Sequence, residues 1–287
     1  MNFADRLAQA CAQKNSIAVL GIDPQLDSAA APGVPPGYTL ERFCCEIVEA
    51  CAPSVVAVKP QLAFFEARGV EGMRALAAVI KTARRAGLIT IADAKRGDIG
   101  STAAAYAEAF LGGGDFGCDA VTVNPYIGSD AVMPFIARIR DGRGLFVLVK
   151  TSNPSSGEFQ DLEASGRPLW EAVAARVRGW GDDFIGESGL SAVGAVVGAT
   201  YPDHARQART IMPSATILVP GYGAQGASAN DAVAAARPGR PAIIVSSSRG
   251  VMYAYLKARG RKPVEAAAEA ASAMRAALNG ALAARSN

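Results

Sequence analysis

The chain has 287 residues, half of them hydrophobic and 19% charged, with a formal net charge of +3. That charge is too small to argue for nucleic acid or a membrane surface, and no apolar run reaches the roughly 18 residues of a membrane span. One histidine and five cysteines (Cys11, Cys44, Cys45, Cys51 and Cys118), with no C-x-x-C pair, offer no zinc-site spacing, so no metal is expected. The opening Met1-Asn2-Phe3-Ala4-Asp5-Arg6 lacks the basic-then-apolar layout of a signal peptide, and a cytoplasmic protein is expected.

Along the chain, short apolar segments recur at Ile17–Ile22, Ser54–Lys59, Leu88–Asp93, Ala120–Asn124, Leu145–Lys150, Ala192–Gly198, Ala215–Pro220 and Ala242–Ser246. Most are near-continuous rather than alternating, the pattern of parallel strands buried on both faces. Segments with helical spacing lie between them, among them Val70–Arg85, Ser101–Leu111, Pro168–Glu187 and Tyr201–Met212, with Pro263–Arg285 closing the series. Cys44, Cys45 and Cys51 fall in one further helix, where a thiol serves as a small core residue. Eight strand–helix units in a chain of this length predict a single α/β domain over residues 1–287, a (β/α)8 TIM barrel. A doubly wound sheet uses the same alternation, and the count of eight decides against it. Two connections run long, Ser28–Tyr38 after the first strand and Thr151–Arg167 after the fifth. Both should emerge at the C-terminal ends of the strands, where barrel enzymes keep their chemistry.

Charge gathers at those same strand ends. Asp23 follows strand one, Lys59 ends strand two, and Asp93 and Lys95 end strand three, with Asp98 past the next glycine. Strand alternation places Asp93 and Lys95 on one face. A rim of solvated salt bridges would contribute little to stability, whereas alternating charges at buried strand ends suit a preorganised electrostatic site. At ~4 Å and an effective dielectric of ~20, each opposite pair is worth about 4 kcal/mol before desolvation. Such an array fits a reaction in which a carboxylate leaves and a carbanion forms: the Asp repels the carboxylate, and the Lys stabilises and protonates the carbanion.

The motif Asp93-x-Lys95-x-x-Asp98-Ile99, with Lys59 on the preceding strand, resembles the orotidine 5′-phosphate decarboxylase family. The resemblance runs on through Thr151-Ser152-Asn153-Pro154, Gly221-Tyr222-Gly223-Ala224-Gln225-Gly226 and Ser248-Arg249-Gly250, and the long loops match the larger bacterial branch. It implies cofactor-free, metal-free decarboxylation of orotidine 5′-monophosphate to uridine 5′-monophosphate (UMP), the last step of pyrimidine synthesis. By carry-over, Lys95 protonates C6, Asp93 stands against the leaving carboxylate, and Lys59 and Asp98 complete the tetrad. Asp98, with Ile99 and Thr102, is implied to act across a homodimer with shared sites. Asp23 and Lys59 would hold the ribose hydroxyls, Ser152 the pyrimidine, and Gln225 and Arg249 the phosphate. The loop Thr151–Arg167 would close as a lid, driven by the remote phosphate.

Three other readings compete. Sugar-phosphate decarboxylases that share Asp-x-Lys-x-x-Asp use magnesium and need an acidic ligand at the end of strand two, where Lys59 stands. A Schiff-base aldolase needs a lysine with a depressed pKa, and flanking carboxylates act in the opposite direction. A non-catalytic nucleotide-phosphate binder could dispense with the charged tetrad. The letters Gly221-x-Gly223-x-x-Gly226 also match a dinucleotide fingerprint, but they follow strand seven and lack an acidic residue closing the next strand. A phosphate cradle is the better reading. His204 is read as a solvent-facing residue in the first turn of a helix, and Trp170 and Trp180 as packing residues.

Overall fold

A computed structural model gives the fold and describes residues 1–27, 33–223, 226–237, 239, 242–258 and 260–285. Eight parallel strands close into a barrel: β1 (Ala18–Ile22), β2 (Ala57–Pro60), β3 (Ile89–Arg96), β4 (Ala120–Val123), β5 (Gly144–Lys150), β6 (Ser191–Val197), β7 (Ala215–Val219) and β8 (Ile243–Ser247). Each pairs with its sequence neighbours, and β8 closes on β1 through Ala18↔Val245 and Leu20↔Ser247. β1, β2, β4, β6, β7 and β8 are buried at every position, because barrel packing covers one face and the helices cover the other. This is the expected (β/α)8 architecture. Among the described residues, no helix is long and apolar enough to cross a membrane.

The outer ring follows from helical periodicity. Leu40–Cys51 buries Leu40, Phe43, Cys44, Ile47, Val48 and Cys51 at three- and four-residue spacings, and the Thr39 side chain caps its start. Cys44 and Cys51 are core residues, as the sequence suggested, and burial pushes the Cys51 thiol up to about 12. Gly69–Arg85, Gly100–Leu111, Leu169–Gly181, Pro202–Ile211 and Pro263–Ala284 lie within a few residues of their predicted spans. The largest departure is Leu169–Gly181, where a 3-10 turn at Asp182–Phe184 ends the segment read as helix to Glu187. After β7 the helix shrinks to one turn, Ala229–Ala232, held by a Ser228–Asp231 capping box.

An N-terminal helix, Phe3–Lys14, was not legible as part of the strand–helix series. It packs at the N-terminal ends of the strands, with Phe3 edge-on to Phe146 at 6.0 Å and Arg6 paired to Asp119 at 2.7 Å. Asp119 in turn accepts both the Thr90 backbone N–H and hydroxyl at 2.9 Å. That end of the barrel is therefore a stability face, and the charged strand ends lie at the other.

The segment after β5 is folded rather than open. It contains a 3-10 turn (Pro154–Ser156), a short helix (Gly157–Gln160) and a two-residue antiparallel ladder joining Glu163–Ala164 to Arg167–Pro168. The other long connection, after β1, lies partly outside the described residues, at 28–32.

Candidate active site

Asp93 is the hub of the C-terminal face. It is 5% exposed, and its carboxylate accepts four side-chain hydrogen bonds. Lys59 Nζ (2.5 Å) and Gln61 Nε2 (3.1 Å) donate to Oδ2, while Lys95 Nζ (2.5 Å) and the Thr122 hydroxyl (3.0 Å) donate to Oδ1. Burial alone would raise the Asp93 pKa, but the two ammonium groups reverse this and hold it well below the usual carboxylate range. Lys59 is 6% exposed. Burial opposes its charge, yet Asp93 and Asp23 outweigh burial, and its pKa is raised. Both members of this buried pair are therefore ionised at neutral pH.

The route by which Lys95 reaches Asp93 differs from simple alternation. β3 continues beyond Asp93 to Arg96, and its register against β4 shifts between Ala92 and Arg96. Within that bulge Lys95 has φ +48°, the left-handed region that is costly for a residue with a Cβ. The Thr122 hydroxyl accepts the Lys95 backbone N–H at 3.0 Å and holds this turn in place. Bulges beside active sites re-aim side chains. Here the bulge leaves the Lys95 side chain 43% exposed in the cleft while its ammonium still touches Asp93. Gln61 and Thr122 were missed in the sequence, because a glutamine after a strand and a threonine within one carry no signal of their own.

A cleft of about 400 Å³ opens above the hub, lined by Asp23, Lys59, Gln61, Asp93, Lys95, Thr122, Ser152 and neighbours from β5, β6 and β7. Burial pushes the Asp23 carboxyl up, and Lys59 only partly offsets it. Among the described residues, neither Asp23 Oδ1 nor the buried Ser248 hydroxyl beside it has a well-formed hydrogen bond. Buried polar atoms this weakly partnered are what a ligand hydroxyl would satisfy. Gly21, in register with Lys59 across β1 and β2, has to be glycine: a Cβ there would lie 2.7 Å from Ser248 Cβ.

The structure thus brings together Asp23, Lys59, Asp93, Lys95 and Ser152, and leaves other candidates outside this cleft. Asp98 Oδ1 accepts the Ile99 backbone N–H at 2.8 Å. Asp98 is half-buried, and Ile99 and Thr102 are exposed at the start of helix Gly100–Leu111. Ile99, Tyr126, Ile127 and Met133 are large apolar side chains about half exposed or more, on loops and helices that adjoin one another. Arg249 opens the short helix Arg249–Met252 after β8, is exposed and does not line the cleft. Gln225 lies outside the described residues. In the glycine-rich turn around it, Gly221 (φ +99°), Gly223 (+73°) and Gly226 (+87°) all occupy backbone conformations reserved for glycine.

His204 departs from its solvent-facing reading. It does lie in the first turn of helix Pro202–Ile211, but it is half-buried, with its ring 5.4 Å from Trp170 and 5.5 Å from Tyr201. Trp170 is buried packing, as expected. Tertiary aromatic contacts, invisible in the local sequence, pull this histidine inward.

Residues 20–271 match the model of the Orotidine 5′-phosphate decarboxylase / HUMPS family. The chain is 44% identical over 272 residues to the orotidine 5′-phosphate decarboxylase of Rhodopirellula baltica, covering 89% of each. It is 43% identical over 282 residues to that of Deinococcus radiodurans, covering 98% of each. Among solved structures, Leishmania donovani OMP decarboxylase superposes with a TM-score of 0.76 at 35% identity, over 97% of this chain and 99% of that one. With the barrel, the Lys59–Asp93–Lys95 hub and these likenesses in agreement, the chain belongs to the Orotidine 5′-phosphate decarboxylase / HUMPS family.

Proposed function

We propose that this enzyme decarboxylates orotidine 5′-monophosphate to UMP and carbon dioxide without metal or organic cofactor. The observation that carries the reading is the Asp93 carboxylate, buried and held ionised between two ammonium groups at 2.5 Å each. A substrate carboxylate placed beside Asp93 meets a fixed negative charge that cannot take up a proton at neutral pH. When the C6–carboxylate bond breaks, its electron pair stays on C6 and carbon dioxide leaves neutral. Lys95 Nζ, the partly exposed ammonium of the hub, stabilises that carbanion and passes it a proton. The resulting amine is re-protonated from solvent.

Lys59 supports the metal-free reading by its position. Its ammonium occupies the flank of Asp93 Oδ2 where a magnesium-dependent relative would need an acidic ligand, and it would repel a divalent cation. Asp23 and Lys59 meet the ribose hydroxyls, Ser152 the pyrimidine edge, and Gln225 and Arg249 the phosphate. Asp98, Ile99 and Thr102 complete the site of a partner subunit in a homodimer, which accounts for an acidic residue set among exposed apolar side chains. The deciding assay follows the absorbance of orotidine 5′-monophosphate with protein dialysed against EDTA. Rapid conversion to UMP is expected. No conversion until magnesium is restored, or none with any metal, would overturn the cofactor-free reading.

Asp23 gives a second check. A carboxyl whose folded pKa lies above its usual 3.8 burdens the fold once ionised, so that burden is absent below the unfolded value and fully present above the folded one. Asp23→Asn removes the charge and is expected to raise Tm at pH 7 while weakening UMP binding about tenfold or more, through the lost charge-assisted bond to a sugar hydroxyl. Thermal melts and calorimetry measure both. A lower Tm with unchanged affinity would count against the assigned role.

A further inference from the structure

Lys150 is a buried lysine that the decarboxylation chemistry does not use. It ends β5, is 1% exposed, and sits one residue before the Thr151–Asn153 segment that lines the cleft. A buried ammonium is costly unless paired. Its Nζ bonds both carboxylate oxygens of Asp161, at 2.6 and 2.8 Å, and lies 5.2 Å from the centre of the Tyr201 ring. The Tyr201 ring lies tilted 5.5 Å from that of His204, and His204 lies tilted 5.4 Å from the buried Trp170, so the aromatic side of this cage is itself packed.

The neighbouring bonds show what the pair holds. Gln160, next to Asp161, accepts the Thr151 backbone N–H at 2.9 Å and donates to the Thr151 hydroxyl at 2.8 Å. That hydroxyl reaches Asn153 Oδ1 at 2.6 Å. From the opposite side, Gly198 N–H bonds Lys150 O at 2.8 Å, and a Cβ on Gly198 would come within 2.7 Å of Ser152 Cβ. The rim residues 151–153 are therefore gripped between the β6 end and the helical insert Gly157–Gln160. The insert is joined to the strand end through residues 160 and 161. Asp161 itself is half-exposed, and its ion pair to Lys150 adds to the Gln160–Thr151 bonds that tie this end of the insert to the strand end.

We propose that Lys150 is a positioning residue for recognition of the pyrimidine base: through Asp161 it fixes the helical insert, which holds the Thr151–Asn153 rim at the height where Ser152 meets the ring. The proposal rests on the decarboxylase reading and adds to it the residue that sets the base-facing wall. It acts on the part of the ligand that distinguishes a nucleotide from a bare sugar phosphate.

The test compares UMP with ribose 5-phosphate, which has the sugar and phosphate but no base. Calorimetry on the intact protein, with kcat and KM for orotidine 5′-monophosphate, is run on wild type, Lys150→Met and Asp161→Asn. Each variant is expected to bind UMP about tenfold more weakly, the worth of roughly one hydrogen bond to the base, and to raise KM more than it lowers kcat. Affinity for ribose 5-phosphate should stay within about twofold, since its contacts are untouched. Parallel weakening of both ligands, or no change in either, overturns the proposal. If Lys150→Met does not fold, Asp161→Asn at its half-exposed site decides; failure of both to fold assigns the pair to stability alone and also overturns it. A wild-type protein that neither binds UMP nor turns over substrate would instead overturn the decarboxylase reading.

Discussion

Replacing Lys95 with alanine is expected to lower turnover of orotidine 5′-monophosphate by more than about 10⁴-fold, combining the loss of a general acid with the loss of charge stabilisation at C6. Affinity for UMP should survive, because the contacts proposed for the sugar and phosphate do not include Lys95 and Asp93 keeps Lys59, Gln61 and Thr122 as partners. The asymmetry of the two lysines motivates this result. Lys59 is sealed beneath Asp93, whereas the left-handed turn at Lys95 presents its ammonium to the cleft. Left-handed backbone at a non-glycine residue recurs at functional sites, where it can aim a side chain. Product formation in a discontinuous assay and UMP titration by calorimetry separate chemistry from binding. Turnover within tenfold of wild type would remove Lys95 as the proton donor. Arg249→Ala, acting on the remote phosphate, should show the opposite pattern, a raised KM with kcat less affected.

The second large effect is expected at Asp98. Alone, Asp98→Ala should lower kcat/KM by about 10²–10³-fold, the scale of removing one preorganised electrostatic group. The decisive experiment mixes inactive Lys95→Ala and Asp98→Ala dimers under conditions where subunits exchange. In a heterodimer with shared sites, one site carries both defects and the other carries neither. Random two-fold pairing should therefore restore about a quarter of wild-type activity. The exposed Ile99, Tyr126, Ile127 and Met133 supply the apolar face such a dimer would cover, and Asp98 does not line its own chain's cleft. A mixture with proven exchange and no activity above its parents would place Asp98 in its own subunit's fold instead.

How far these expectations were legible in the sequence depended on how local each signal is. Eight buried strands write themselves as continuous apolar runs, and the observed strands fall within a few residues of those runs, because parallel barrel strands are covered on both faces. Asp23, Lys59, Asp93 and Lys95 were recognisable because opposite charges gathered at the ends of adjacent apolar strands suit an electrostatic site. The resemblance to a known family then assigned roles that residue types alone leave open.

What needed the folded chain is whatever depends on two segments meeting. Nothing local to Gln61 or Thr122 marks them as partners of Asp93; β2, β3 and β4 must lie side by side before those groups converge. Alternation alone would have put Asp93 and Lys95 on one face, but the meeting is made by a bulge whose turn is held by a hydroxyl from the next strand. His204 was drawn off the surface by Trp170 and Tyr201. Lys150 read as the end of a strand until the insert folded back to place Asp161 on its ammonium. The sequence by itself determined the architecture and the charged strand ends, since hydrophobic burial and charge placement are properties of single segments. The tertiary structure decided which side chains share a carboxylate, which residue is strained and which lysine is sealed, because hydrogen bonds and desolvation depend on neighbours that are distant in the chain.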